Sequence, residues 1–365
     1  MSADTRRHDI DALRVIAIGL LIVYHVAIGF QSWGLMVGFI AHVPSAEALW
    51  LPMTALNIWR IPLLFFVSGM GVCFAFGKRT PLQLLTERAR RILLPFLFGM
   101  LCIVPLHLLV LQGYYGWPLH YTPGPGHLWF LGNILIYTLI TLPLWLALRR
   151  HPDSRAATGL KRCLAHPLGW CAVMAVFVGE ALLLSPYPYE LYAMTWHGFW
   201  LGLLAFVFGY LFVFSGTPFW QRIVRWRWTL LALAVALFSW RAMNAAPYPA
   251  TWLLSIESNA WVLAVLAFGH HHLNRPSHAL SYLSRAAYPI YIVHMLWLYL
   301  ASAWIFPLEM NVYLKFFIVL SLTAAACLLS YEYGIRRLGY LRPVFGLPIR
   351  DRAEPVIGDA ISRQA

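Results

Sequence analysis

Long apolar runs recur along this chain, separated by short polar or turn-rich gaps. Each run has about 18 residues or more, enough to cross a ~30 Å hydrocarbon core as a helix. The pattern predicts spans at 13–30, 58–77, 92–112, 127–148, 168–185, 194–215, 228–246, 252–269, 287–306 and 312–333. The fold class that follows is all-α: a polytopic membrane helix bundle of about ten transmembrane helices, with N- and C-termini cytoplasmic. Residues 1–345 read as one transmembrane domain and 346–365 as a mobile cytoplasmic tail. The gaps are too short to hold a further domain, and no repeat or low-complexity tract breaks the pattern.

Composition agrees with the pattern: 61% of residues are apolar or aromatic, 11% are charged, and the mean hydropathy is +0.67. A soluble chain of this length is far more polar. The formal charge of +13 suggests a nucleic-acid binder only until the cations are placed. All but four of the 27 Lys and Arg residues fall in alternate gaps, from Arg6 and Arg7, through Lys78 to Arg91, to the basic tail from Arg336. The exceptions are Arg14, Arg60, Arg241 and Lys315, within spans or near their outer ends. That asymmetry is the positive-inside signature; it sets the orientation and makes the lipid bilayer, not nucleic acid, the partner. The opposite gaps are rich in aromatics, Gly and Pro, as in Gln112-Gly-Tyr-Tyr-Gly-Trp-Pro118. Arg6 and Arg7 before an apolar stretch resemble a signal peptide. Asp11, Arg14 and His25 interrupt that stretch, so it is expected to remain as the first span. The five cysteines show no zinc-ligand spacing, so neither a disulfide framework nor a metal site follows.

Charged groups are costly in hydrocarbon, so those inside spans face protein or a wet cavity. Arg14 and His25 are eleven residues apart, which places them on one helical face about 16 Å apart along the axis. Glu87-Arg88-Ala-Arg-Arg91 opens the third span, and its three-residue spacing puts Arg88 and Arg91 on one face, suited to phosphate oxygens. His294 lies just inside the ninth span and Glu332 closes the tenth. The outer half carries Arg60, His107, Glu180, Arg241 and Glu257, with Trp33, Trp50 and Trp129 among its aromatics, a set suited to carbohydrate. Each residue also has an ordinary reading: a snorkelling arginine, a hydrogen-bonded core histidine, a Glu332–Arg336 pair four residues apart, an interfacial aromatic belt. His270-His-His272 is read as a loop feature, because adjacent helical residues point about 100° apart and cannot chelate one ion together.

The combination is sharper than its parts. Asp11-Ala-Leu-Arg14 followed by His25, Phe65-Phe-Val-Ser-Gly69, Arg88 with Arg91, His127-Leu-Trp-Phe-Leu131 and Tyr291-Ile-Val-His294 make the chain resemble acyltransferase family 3. Its members are ten-span membrane enzymes that modify cell-surface and periplasmic carbohydrates, and the likeness runs from about Arg7 to Phe345. Trp252-Leu-Leu-Ser-Ile-Glu-Ser-Asn259 and Leu329-Ser-Tyr-Glu332 lean toward the branch that succinylates osmoregulated periplasmic glucans. The resemblance implies His25 as catalytic histidine, Arg14, Arg88 and Arg91 as donor-side arginines, and motif positions at Asp11, Trp129 and Glu332. Asp11 would orient Arg14.

With those roles, acyl-CoA, as succinyl-CoA or acetyl-CoA, binds from the cytoplasm while a glycan acceptor approaches past Trp129, Glu257, Arg241 and His294. No tightly bound cofactor is needed. His25 takes the proton of the attacking hydroxyl, and Glu332 either orients His25 or pairs with arginine. A continuous polar cavity between the two vestibules is expected. A succinyl donor would need a cation for its free carboxylate, with Arg60 and Arg241 as candidates. The alternatives are a transporter or flippase that uses the same buried His, Glu and Arg residues, and a non-catalytic scaffold in an envelope-glycan complex.

Overall fold

Every predicted apolar run forms a helix in the computed structural model, which describes residues 7–77, 79–244 and 248–349. Arg6, Lys78 and residues 350–365 of the predicted tail lie outside the described residues. The helices are α1 (His8–Ile28), α2 (Leu51–Gly77), α3 (Pro81–Tyr114), α4 (Trp129–Arg150), α5 (Arg155–Leu164) and α6 (Pro167–Leu184). They continue with α7 (Trp196–Phe214), α8 (Thr217–Arg225), α9 (Arg227–Met243), α10 (Thr251–His272), α11 (His278–Ile305) and α12 (Val312–Ile335). Among the described residues, nine helices are long and apolar enough to cross a membrane, and ten if α8 and α9, bent by 58° at Trp226, count as one span.

Several helices outrun their predicted spans, because polar turns extend them past the apolar stretch. α3 begins at Pro81, where Thr80 and Gln83 form a reciprocal capping box that satisfies helix-end N–H groups. The segments 155–164 and 217–225, expected as charged connections, are short helices that bury Leu164 or Phe219 and Trp220 and turn their cations outward. His270-His-His272 closes α10 and is not a loop; its His270 ring meets Asp9 at 2.9 Å. Asp9 is almost fully buried and also takes two bonds from Arg7, which ties the start of α1 to the end of α10.

α1 is packed against α2, α10, α11 and α12, and α11 also touches α3. The chain therefore surrounds the helix that carries Arg14 and His25. The motif glycine Gly69 has a packing reason. A Cβ there would lie 1.9 Å from the Phe206 carbonyl oxygen, and one at Gly209 would lie 2.0 Å from that of Phe66, so α2 and α7 meet backbone to backbone. Gly69→Val is expected to destabilise the protein by about 3 kcal/mol or more in a detergent melt, whereas Gly71→Val, with open space around it, leaves the midpoint near wild type.

α3 is interrupted by two i→i+5 turns, at Ala89–Leu93 and Gly99–Ile103. Each precedes a proline, Pro95 or Pro105, that has no N–H to return to the carbonyl four residues earlier. The freed Leu101 carbonyl accepts from Tyr121 Oη at 2.8 Å, and Gly124 N–H bonds the Met100 carbonyl at 3.3 Å, which pins the loop before α4. At the other turn, Gly346, in a left-handed conformation, lies against the Arg91 carbonyl and the Tyr288 ring. Arg342 Nε bonds the Pro348 carbonyl, and Leu347 N–H bonds the Arg342 carbonyl, so residues 346–349 of the predicted tail are held against the bundle.

Candidate active site

Helix direction sorts the polar residues into two ends. The basic end holds the start of α1, the end of α2 and the start of α3; the aromatic end holds the connections 29–50, 115–128 and 185–195. A cavity of about 920 Å³ opens at the aromatic end, and His25, His107, His127, Trp129, Glu190 and Arg241 line it. Its lining on α1 runs only from Ile28 to Leu21 and includes none of Arg14, Arg88 or Arg91. The expected single cavity is therefore not what this conformation shows. Below Leu21, the buried Ala17, Ile18 and Leu13 fill α1's contacts, and the walls above are mostly apolar and aromatic.

Two histidines from opposite ends of the sequence meet at the cavity floor. His25 Nδ1 lies 2.9 Å from His294 Nε2, with the rings nearly parallel at 7°. His294 Nδ1 lies 2.7 Å from the Tyr291 carbonyl oxygen. A carbonyl only accepts, so His294 carries its proton on Nδ1 and offers a lone pair on Nε2. His25 must then donate from Nδ1, which leaves its own Nε2 as a free lone pair. His127 donates from Nε2 to the Ile292 carbonyl at 3.1 Å, and its ring meets His294 edge-on at 5.0 Å. Tyr291 Oη in turn bonds the His127 carbonyl at 2.5 Å, so α11 and the turn before α4 lock the pair from behind. His294 is fully buried, whereas His25, on α1, is partly open to the cavity.

The predicted residues divide among this cavity, the basic end and supporting positions. Arg241 is gripped by Glu257 through two 2.8 Å bonds and also bonds the Thr54 carbonyl at 3.0 Å. Glu257 is almost fully buried behind it, so Arg241 forms the cavity wall and Glu257 fixes its position. Ser258 and Asn259, next to Glu257 on α10, bond the Ile58 and Ser255 carbonyls. Trp129 packs edge-on against Phe65 with one face to the cavity.

Sequence reasoning missed Glu190 and Tyr248. Tyr248 Oη donates to Glu190 at 2.7 Å, and Glu190 lies 3.9 Å from Arg241. Burial and the Glu190 carboxylate push the Tyr248 phenol up, so it stays a donor. The available signal was the aromatic run Tyr187-Pro-Tyr-Glu-Leu-Tyr192 in a connection at the aromatic end.

At the basic end Asp11 accepts from Arg14 at 3.1 Å. Glu87 pairs with Arg79 at 2.9 Å and Arg91 at 3.2 Å, while Arg88 lies within Coulombic reach of Arg14, Arg79 and Arg91. The wide turn starting at Ala89 changes the register expected for Arg88 and Arg91. Arg88 is half-buried with its Nε lacking a partner, whereas Arg91 is mostly exposed. Of the two arrangements open to Glu332, the structure has the arginine pair: Arg336 at 2.8 and 3.0 Å, plus a bond from Tyr282 Oη at 3.0 Å. Tyr282 is twelve residues before His294 on α11, roughly 18 Å along the axis, so Glu332 stands well away from the histidine pair.

The model of an acyltransferase domain, acyltransferase family 3, matches residues 7–332. The chain belongs to acyltransferase family 3. As a member of that family it is a multi-pass membrane enzyme that transfers acyl groups. It is also similar to proteins named glucans biosynthesis protein C from Escherichia coli strains SMS-3-5, ED1a and K12 DH10B. Each is 24% identical, over 91% of this chain and 92% of the relative. No solved structure matches. The matched region of this family-3 chain takes in His25, His294, Arg14, Arg88 and Arg91.

Proposed function

We propose that this enzyme moves a short acyl group, succinyl or acetyl, from cytoplasmic acyl-CoA to a hydroxyl of a periplasmic or cell-surface glycan, acting in the inner membrane. The hydrogen-bond chain Tyr291 carbonyl, His294, His25 carries the reading, because it leaves a neutral imidazole lone pair at the floor of a large aromatic cavity. The relatives' name, glucans biosynthesis protein C, supports a glucan as acceptor.

His25 Nε2 takes the proton of the acceptor hydroxyl as that oxygen attacks the thioester carbonyl. The tetrahedral intermediate collapses, the C–S bond breaks, and the His25 proton passes to the departing thiolate. The products are an ester and free coenzyme A. While His25 is cationic, its Nδ1–H bond to His294 strengthens, which lowers the barrier further. Arg14, Arg88 and Arg91 hold the donor's phosphates, with Asp11 orienting Arg14, and the positive-inside rule places that end in the cytoplasm. The roughly 16 Å between Arg14 and His25 is a distance an extended phosphopantetheine arm spans, and the α1 packing at Leu13, Ala17 and Ile18 must open to admit it. Trp129, Arg241, Glu190 and Tyr248 offer the stacking and hydrogen-bonding surfaces a sugar requires. Glu332 acts indirectly, by fixing Arg336 and the start of α11.

The direct test is purified protein in lipid nanodiscs with either acyl-CoA and a glucan oligosaccharide. Thiol release that depends on the glucan, with a matching mass increment on the sugar, is the expected result. Thiol release without any gain in sugar mass, or none at all, would sink the reading.

A further inference from the structure

Arg60 is the most unusual cation in the molecule. It lies on α2 with no exposed surface, and none of its three guanidinium nitrogens has a hydrogen-bond partner among the described residues. An unpaired buried charge costs several kcal/mol, and more so within a membrane span, so a bundle retains one only for what it does. Its neighbours are phenols and not carboxylates. Its Cζ sits 4.0 Å over the Tyr24 ring, and Tyr192, His25 and His294 are also in Coulombic reach. Both tyrosines line the cavity, as does Asn57, one turn before Arg60, whose buried Oδ1 also lacks a partner. The guanidinium therefore stands directly behind the cavity wall. The wall is next to the reacting histidine, since the Tyr24 and His25 ring centroids are 5.7 Å apart.

Resting on the acyl-transfer reading above, we infer that Arg60 is the receptor for the free carboxylate of a short dicarboxylic acyl group, which meets it when the Tyr24 ring swings aside. The spacing fits a four-carbon diacid. Three C–C bonds, about 4 Å end to end, separate its reacting carbonyl from its carboxylate, while His25 needs the attacking oxygen within about 3 Å. The path from His25 to the Tyr24 ring is 5.7 Å and from that ring to the guanidinium 4.0 Å, which covers the acyl length together with the contact at each end. Arg241, the other candidate cation of the outer half, is already neutralised by Glu257. An acetyl group has nothing to offer Arg60 and would leave its charge unpaired in the reactive complex. The residue thus selects among donors without touching the reacting bond.

The test compares succinyl-CoA with acetyl-CoA as donors for wild type, Arg60→Met and Arg60→Lys in nanodiscs, reading sugar mass and thiol release. Wild type is expected to favour succinyl. Arg60→Met should lose succinyl transfer by at least about 100-fold and keep acetyl transfer within about threefold, with Arg60→Lys between them. The thermal midpoint of Arg60→Met should equal or exceed that of wild type, because the substitution removes an uncompensated charge. Equal losses for both donors, no loss for either, or a wild type that uses acetyl alone would each overturn the role of Arg60 and leave the acyl-transfer reading standing. Wild type that transfers from neither donor would bring down that reading as well.

Discussion

His25→Ala is expected to lower acyl transfer by about 10²–10⁴-fold while leaving membrane level and thermal midpoint close to wild type. The size follows from the loss of a positioned base: the other lone pairs at the cavity floor, on His294 Nε2 and His127 Nδ1, belong to rings held by backbone carbonyls, and the His127 atom is buried. His294 Nδ1 and His127 Nε2 are committed to the Tyr291 and Ile292 carbonyls. The small effect on stability follows from position. His25 lies at the cavity surface, so its removal enlarges an existing space, and the His294 lone pair it vacates can be met by water. Parallel glycan mass profiles and melts of the two proteins check both halves. A variant that fails to accumulate would favour a structural role for the residue, and one with full transfer would remove His25 from the mechanism.

The sequence made the bundle legible because lipid imposes one rule: apolar length must match membrane thickness. What it left hidden was register and pairing. The two wide turns of α3 follow from Pro95 and Pro105. Yet which carbonyl Tyr121 or Gly124 would claim depends on a loop whose path no local pattern fixes. The first of those turns also leaves Arg88 half-buried and Arg91 mostly exposed, where a regular helix would have kept them on one face. The ends of helices were misjudged where polar residues extend them, as at His270-His-His272, where a buried Asp9 from the N-terminus makes the partner.

Within the site, His25 and Arg14 were visible as polar residues in the wrong solvent. His294 was visible for the same reason, but its role was not. That role rests on a bond between chain positions 269 residues apart and on a proton fixed by a backbone carbonyl. Glu332, a carboxylate in a motif, was the more obvious candidate to orient His25. It is spent on Arg336 and Tyr282 at the other end of α11. Glu190 was missed because a carboxylate in a connection between spans looks solvated until the fold brings Tyr248 and Arg241 to it.

A second large effect is expected at His294, a positioning residue that fixes the His25 tautomer. His294→Phe keeps the ring's bulk in a fully buried position but removes the acceptor for the His25 Nδ1–H. His25 then loses its reason to hold the proton on Nδ1, and the tautomer with Nε2 protonated, useless as a base toward the cavity, becomes populated. Transfer should fall by about 100-fold or more, mostly in kcat, with donor KM little changed. His294→Gln places an amide oxygen where Nε2 stood, so it can accept from His25 and should recover activity to within about tenfold of wild type. A purely structural role for His294 predicts the reverse order, because the aromatic Phe preserves packing against His127 and Tyr291 better than Gln does. The ranking of the two variants, measured as kcat on protein of matched thermal midpoint, separates the two accounts. If Phe retains more activity than Gln, the proton placement derived from the Tyr291 carbonyl is wrong, and His25 must be oriented by some other contact.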